Sequence, residues 1–125
     1  MKNELLVESL AMISDEALDN AYHYGRSKAG NNFGWLSNVE SAKAARRVIV
    51  DEGITDIEKI AYAVHEGWNI TAKMDYIGKL TLDTPTPQEK KLKRFLLAEK
   101  TYDMLPEEEK EKDRVVARAL LKALL

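Results

Sequence analysis

The sequence contains no cysteine, and it has only two histidines and three prolines among its 125 residues. Without cysteine there is no disulfide, no thiolate nucleophile and no cysteine-built zinc site. The two histidines are the only soft metal ligands that remain. These absences fit a reducing compartment.

Long apolar runs are also absent from the sequence. No stretch approaches the roughly 20 apolar residues that span a bilayer, and the N-terminus lacks the basic start and apolar run of a signal peptide. Charged residues make up 32% of the chain, yet the net charge is only -2, which argues against nonspecific binding to nucleic acid or to an anionic membrane. We therefore expect a soluble, cytoplasmic protein that binds neither nucleic acid nor membrane.

Apolar residues recur at three- and four-residue steps through most of the chain. This pattern predicts an all-α fold, a single domain over residues 1–125 built as a small bundle of about five helices. The predicted helices are 3–25, as two short helices or one bent helix; a second from a cap at Ser37 or Asn38 to Gly53; a third from Asp56 into the low 70s; a fourth from Pro87 through Glu99; and a fifth from Pro106. Irregular loops are predicted near 26–37 and 78–86, where glycine, asparagine, threonine and proline interrupt the pattern.

Two capping signals mark predicted helix starts. Thr55 and Glu58 have the spacing of a capping box, in which each side chain bonds a free backbone N–H of the first turn. Thr86 followed by Pro87 has the composition of a second N-terminus. Between them, the alternation over 79–82 allows a short strand-like extension.

The third predicted helix carries the segment His65-Glu66-Gly67-Trp68-Asn69. A zinc protease motif needs a second histidine four residues after His65, and Asn69 stands there instead. Two interpretations remain open. His65 is a hydrogen-bonded residue at the edge of the core beside a buried Trp68, or the pair belongs to a pocket in which an aromatic plane and an imidazole contact a planar ligand.

Asp113 and Arg114 have poor local partners on the last predicted helix. Four residues earlier on the helix stand the like charges Glu109 and Lys110, which repel them. A solvated surface pair is the ordinary interpretation of such residues. The alternative is that they reach other elements, either as an internal bridge or as ligand contacts.

The first predicted loop combines positive charge, glycines and aromatic rings. Arg26 and Lys28 could approach a phosphate, and Trp35 offers a face for stacking. The loop matches neither the P-loop nor the dinucleotide glycine pattern. A loop that Trp35 anchors to the core is an equally good interpretation.

No pair of nucleophile and base stands out in the sequence, because the carboxylates lie in capping positions or charge runs. The basic stretch at 90–94 has acidic neighbours and interspersed apolar residues that face a core, which argues against a nucleic-acid surface. We therefore predict that the protein is not an enzyme and needs no cofactor or metal.

Two segments, 57–69 and 102–124, together resemble the ryanodine-receptor repeat. The residues that carry the resemblance are Ile57, Ala61, His65, Glu66 and Trp68 in the first segment and Tyr102, Leu105, Lys110, Asp113 and Arg114 in the second. The sequence departs from the family at Thr101, where proline is usual, and at 76–78, where a Gly-Trp turn is missing. Residues 1–55 have no counterpart in the repeat.

The resemblance implies a small helical module without known catalytic activity, present in large calcium channels and in bacterial and phage proteins, some of them in nucleotide-signalling defence systems. It leads to the hypothesis of a non-enzymatic protein that captures a small anionic nucleotide-derived ligand, as a phage sponge in the host cytoplasm would, with a site that identical chains could share. Trp68 and Tyr102 would stack, Arg114 would bind phosphate, and the remaining polar groups would contact base or ribose. The predicted ligand-binding residues are His65, Trp68, Asn69, Tyr102, Asp113 and Arg114, with Arg26, Lys28 and Trp35 from the loop. The alternative is a protein–protein interaction scaffold without a small-molecule ligand.

Overall fold

A computed structural model describes residues 6–125, and the regular secondary structure in this part of the chain is all helical, with no strand. The α-helices are α1 (Val7–Tyr22), α2 (Phe33–Arg46), α3 (Ile57–Tyr76), α4 (Gln88–Ala98) and α5 (Glu107–Leu124). A π-helical segment, Arg47–Asp51, continues α2, and a single 3₁₀ turn, Tyr102–Met104, precedes α5. The prediction of an all-α bundle of five helices is confirmed.

α3 lies at the centre of the bundle and contacts α2, α4 and α5, while α1 packs against α2 and α5. Large side chains from α1, α3, α5 and the π-helical segment are fully buried and form one apolar core: Leu10, Ile49, Ile60, Val64, Leu120 and Leu124. Burying each such side chain contributes roughly 1.5–3 kcal/mol. No helix within residues 6–125 is long and apolar enough to cross a membrane.

α2 and α3 approach each other closely at Gly67. A Cβ atom at this position would lie 2.5 Å from the backbone oxygen of Glu40 and 2.7 Å from the Cα of Ser41. The absence of a side chain therefore allows the two backbones to touch. Ser41 adds a bond across the same contact, because its hydroxyl donates to the Val64 carbonyl at 3.0 Å.

The first loop is shorter than predicted, because α2 begins at Phe33. The Asn32 side chain caps the helix by accepting a hydrogen bond from the Trp35 N–H at 2.8 Å. The predicted caps are wrong, since the Ser37 hydroxyl donates to the Gly34 carbonyl inside the helix and Asn38 is buried. α1 is one continuous helix that ends at Tyr22, and the predicted positions 3–5 lie outside the described residues.

Two other predicted helix starts are corrected as well. Asp56 rather than Thr55 caps α3, and its carboxylate accepts from the backbone N–H of Glu58 at 2.8 Å, so the predicted capping box does not form. α4 starts after Pro87, and Thr86 makes no capping bond. The segment 79–82 is not a strand.

Gly53 ends the π-helical segment. It has a φ of 67°, a backbone angle that glycine adopts without steric cost, and it lets the Ile54 N–H turn back to the Val48 carbonyl at 3.0 Å. The chain then reverses into α3 within the few residues that follow, as the sequence predicted.

Candidate functional site

A cavity of about 600 Å³ opens between the helices, and all five of them contribute residues to its wall. Cationic, aromatic and acidic side chains share this wall, and the first loop closes one side with Tyr24, Gly25 and Ser27. The residues that carry the charge and the aromatic surface are Asp15, Tyr24, Phe33, His65, Trp68, Lys90, Lys93, Arg94, Glu109, Lys112 and Asp113.

Five of these side chains form a connected row, here called the cavity row, in which each contacts the next. The Arg94 guanidinium lies 3.7 Å above the centre of the Phe33 ring. The Phe33 ring meets Trp68 edge-on at 6.0 Å, and Trp68 lies nearly parallel to His65 at 6.1 Å. Nδ1 of His65 is 3.6 Å from Oδ2 of Asp113. The cavity row therefore leads from a cation, past three rings, to a carboxyl group.

The cationic end of the cavity row has no acidic partner at close range. Within residues 6–125, no carboxylate oxygen lies within 4.0 Å of the Arg94 guanidinium, nor of the ammonium groups of Lys90 and Lys93. Partial burial lowers the pKa of Arg94, and the more distant Asp75 opposes this effect. A partly desolvated guanidinium with no carboxylate in contact is a favourable place for an anion.

The acidic end of the cavity row is formed by His65 and Asp113. Nε2 of His65 lies 2.8 Å from the Lys100 carbonyl oxygen, which only accepts, so this nitrogen carries a hydrogen. Burial lowers the pKa of His65 and thereby favours the neutral imidazole. Burial also raises the pKa of Asp113 to about 8, and the nearby Glu109 acts in the same direction. Both side chains are therefore largely uncharged at neutral pH.

Tyr102 and Arg114 lie outside the cavity and join helices to one another. The Tyr102 hydroxyl donates to Oε2 of Glu58 at 2.7 Å. Arg114 donates to both oxygens of Glu58, at 2.9 and 3.0 Å, and to Glu107 at 2.9 Å. Hydrogen bonds from Arg114 and Tyr102 lower the pKa of Glu58. We call this group the Glu58 network, and it links α3 to the 3₁₀ turn and α5.

The other predicted site residues also lie away from the cavity wall. Trp35 is buried in the core, which matches the anchoring interpretation of the loop. Arg26 bonds to Asp15 at 2.9 Å, Lys28 is exposed, and Asn69 is half-buried on α3. Of the nine predicted residues, the structure brings together His65, Trp68 and Asp113 in the cavity.

Asp15 holds the first loop against α1, a role that sequence reasoning missed. Its carboxylate accepts from the backbone N–H of Ser27 at 3.0 Å and from the Arg26 side chain. Asn38 donates to the same carboxylate at 3.4 Å and accepts from the Ser14 hydroxyl at 3.1 Å. We call this group the Asp15 latch. The sequence pattern placed Asp15 inside the first predicted helix, 3–25, and assigned it no partner.

The cationic residues of α4 were also missed as site residues. Lys90, Lys93 and Arg94 follow the three- and four-residue spacing of one helix face. That spacing was the available signal, and the basic stretch was interpreted as surface charge beside a core face.

Among residues 6–125, no group of three or more His, Asp or Glu side chains is arranged to hold a metal ion. Comparisons with protein-family models, with curated protein sequences and with solved structures give no match for this chain. The resemblance to the ryanodine-receptor repeat therefore stays a prediction.

Proposed function

We propose that this protein captures a small anionic nucleotide-derived ligand in the cavity and releases it chemically unchanged. The observation that carries the proposal is the order of groups in the cavity row. A nucleotide has an anionic phosphate at one end and a planar base at the other, and the cavity row presents a guanidinium and then aromatic rings in the same sequence.

Size and charge support the same proposal. Small-molecule sites commonly enclose about 300–1,000 Å³, and this cavity of about 600 Å³ falls in that range. Lys90 and Lys93 stand beside Arg94 on α4, so a phosphate would meet three cations. Arginine binds phosphate through two parallel hydrogen bonds, which gives both affinity and orientation.

The resemblance to the ryanodine-receptor repeat adds the biological setting of the proposal. Some members of that family belong to nucleotide-signalling defence systems. A binding protein without catalytic activity would act there as a sponge, in the cytoplasm and in the host cytoplasm if a phage encodes it. Identical chains that share one site would enclose the ligand further.

A calorimetric and thermal-shift screen tests the proposal. The probes are cyclic dinucleotides, cyclic ADP-ribose isomers and mononucleotides, and the ligand should be recovered unchanged after incubation. At least one class should bind and raise the melting temperature, because a ligand that binds only the folded state stabilises it. Flat responses to every class would refute ligand capture, and a product that accumulates with time would indicate a hydrolase instead.

Variants on α4 show whether binding occurs in the cavity. Lys93→Gln and Arg94→Gln should each weaken the probe that binds, by about tenfold, because each removes a charged contact to the phosphate. Lys91→Gln is the matched control, since Lys91 is on the same helix and has the same charge but does not line the cavity. An equal loss in all three variants would indicate nonspecific charge attraction and contradict the proposed site.

The Glu58 network favours a second candidate function, a protein-interaction module. Tyr102 and Arg114 carry part of the family resemblance, yet they join helices and do not line the cavity. In this candidate function the helix faces bind a protein partner. A pull-down would retain the partner after His65→Ala and Arg114→Ala in a folded protein, whereas ligand capture predicts loss of nucleotide binding after His65→Ala.

A further inference from the structure

The Arg94 guanidinium stacks on the face of the Phe33 ring. Its central carbon lies 3.7 Å from the ring centre, whereas the ammonium groups of Lys110 and Lys112 lie 5.8 and 5.9 Å from the tyrosine rings below them. A separation of 3.7 Å is van der Waals contact, and it requires the flat guanidinium to lie with its face on the ring. The N–H donors of an arginine point outward in the guanidinium plane, so the stack leaves them available to a ligand.

The Phe33 ring is the contact that sets the orientation of Arg94. Within residues 6–125, the Arg94 guanidinium makes no hydrogen bond to another residue. Asp75 attracts it from a greater distance, which gives no direction to the individual N–H groups. An arginine side chain without a contact samples many rotamers, and ordering it during binding costs conformational entropy. A stack that orders the guanidinium beforehand therefore favours the binding of a phosphate.

Phe33 is itself held in place by its surroundings. It is the first residue of α2, directly after the Asn32 cap, and its ring contacts Trp68 on α3 at 6.0 Å. The Asn31 carbonyl accepts from the Asp83 N–H at 2.9 Å, which ties the start of α2 to the connection between α3 and α4. The ring therefore keeps a defined position relative to α3 and to the segment that leads into α4.

We infer that Phe33 is a positioning residue for the phosphate end of the ligand: it holds the Arg94 guanidinium so that the edge with its donors meets two phosphate oxygens. The inference rests on the proposed function and deepens it. Arg94 covers a face of the Phe33 ring, so this ring serves the phosphate, and Trp68 and His65 serve the base. Two parallel hydrogen bonds from a guanidinium need a fixed orientation, whereas the ammonium groups of Lys90 and Lys93 act as point charges that do not.

Calorimetry with inorganic pyrophosphate and with AMP tests the inference, because pyrophosphate has no base. Phe33→Leu should weaken both probes by about fivefold, since it removes the stacking ring and keeps an apolar side chain. Phe33→Tyr should restore most of the affinity, because it restores the ring. Phe95→Leu is the matched control: Phe95 is next to Arg94 on α4, but it stacks on Tyr76 and does not line the cavity. Equal losses in Phe33→Leu and Phe95→Leu would indicate a general displacement of α4 and overturn the inference.

A double substitution separates positioning from a merely structural role. Arg94→Gln alone should weaken pyrophosphate by about tenfold, and adding Phe33→Leu should weaken it no further, because no guanidinium remains to be oriented. Independent effects would multiply to about 50-fold. A loss of that size would overturn the positioning role and leave ligand capture standing. Far-ultraviolet circular dichroism confirms that each variant is folded.

NMR of the ligand-free wild type gives a test that needs no variant. Cross-peaks between the Arg94 side-chain protons and the Phe33 ring protons should be present, and their absence would overturn the inference while ligand capture stands. If neither pyrophosphate nor AMP binds the wild type, the inference fails too. The proposed function fails only if the wider nucleotide screen is also flat.

Discussion

Asp113 links the stability of the protein to pH. Its pKa is raised from 3.8 to about 8 by burial, so the folded state holds a proton that the unfolded state releases. A raised pKa gives stability that is fully present below the unfolded value and is lost as the pH rises through the folded value. The window of loss therefore runs from about pH 4 to about pH 8.

We expect the free energy of unfolding of the wild type, relative to Asp113→Asn, to fall by more than about 1 kcal/mol between pH 5 and 8, since one pKa unit corresponds to about 1.4 kcal/mol. Urea unfolding at several pH values measures this difference. The lowered pKa of His65 acts in the opposite direction, because the stability that it contributes is lost as the pH falls. Asp83→Asn, an exposed carboxylate, is the control. Parallel pH profiles for the wild type and Asp113→Asn would contradict the prediction.

A substitution of Tyr102 distinguishes a structural role of this residue from a role in ligand binding. Its ring is buried and its hydroxyl bonds to Glu58, outside the cavity. Tyr102→Phe should lower the free energy of unfolding by about 1 kcal/mol, because it removes one hydrogen bond from the Glu58 network, and it should leave nucleotide affinity unchanged. Chemical unfolding and calorimetry measure the two effects, with Tyr62→Phe as the control on a more exposed ring. Weaker binding without a loss of stability would assign Tyr102 to the site.

Local charge patterns identified which residues needed partners but not where those partners were. The like charges four residues before Asp113 and Arg114 indicated contacts outside α5, and the structure places Asp113 beside His65 and Arg114 on Glu58. Which contact faces a cavity depends on how α3 and α5 are rotated about their axes. That rotation follows from the packing of the whole core and has no signal in one segment.

At the scale of elements, the first loop depends on the Asp15 latch. Asp15→Ala should leave the Ser27 N–H and the Arg26 side chain without their acceptor. We expect faster amide hydrogen exchange across residues 23–32 and a loss of about 1–3 kcal/mol in the free energy of unfolding. Glu16→Ala is the matched control, because its carboxylate is exposed and lies 3.8 Å from Arg26. Unchanged exchange in the loop would show that other contacts hold it.

The contact between α2 and α3 predicts different outcomes for two glycines. Gly67→Ala places a Cβ against the backbone of Glu40 and Ser41, which cannot move without separating the helices. It should cost more than about 2 kcal/mol, although alanine favours a helix by about 1 kcal/mol. Gly34→Ala meets the Ser27 hydroxyl, a side chain that can rotate, and should cost less. Thermal unfolding of both variants measures the difference, and equal costs would contradict it.

The start of α2 shows the limit of predicting a helix start from capping residues alone. Asn32, Ser37 and Asn38 are all good capping residues, and the sequence pattern favoured the later two. The structure uses Asn32, because Trp35 then lies one turn into the helix and reaches the core. The burial of Trp35 in the core therefore favours Asn32 over caps of similar local strength. The capping pattern of the sequence contains no information about that burial.

At the scale of the whole molecule, the all-α architecture was predictable because each helix carries its own apolar spacing. The cavity was not, since every helix contributes only a few residues to it and the charges on α4 resemble an ordinary surface. The predicted site captured the α3 and α5 side of the wall through His65, Trp68 and Asp113. The α4 side of the cavity wall depends on where the connecting segment 77–87 positions α4 against the rest of the bundle.

The π-helical segment Arg47–Asp51 has a consequence for the history of the chain. A π turn holds one more residue than an α turn, so it accommodates an insertion without rotating the helix on either side. Here the extra residue lies at the end of α2, directly before the reversal at Gly53, where the added length does not reach α3. Related sequences one residue shorter between 46 and 52 should keep the same α2 and α3, and length variation elsewhere in these two helices should be rare.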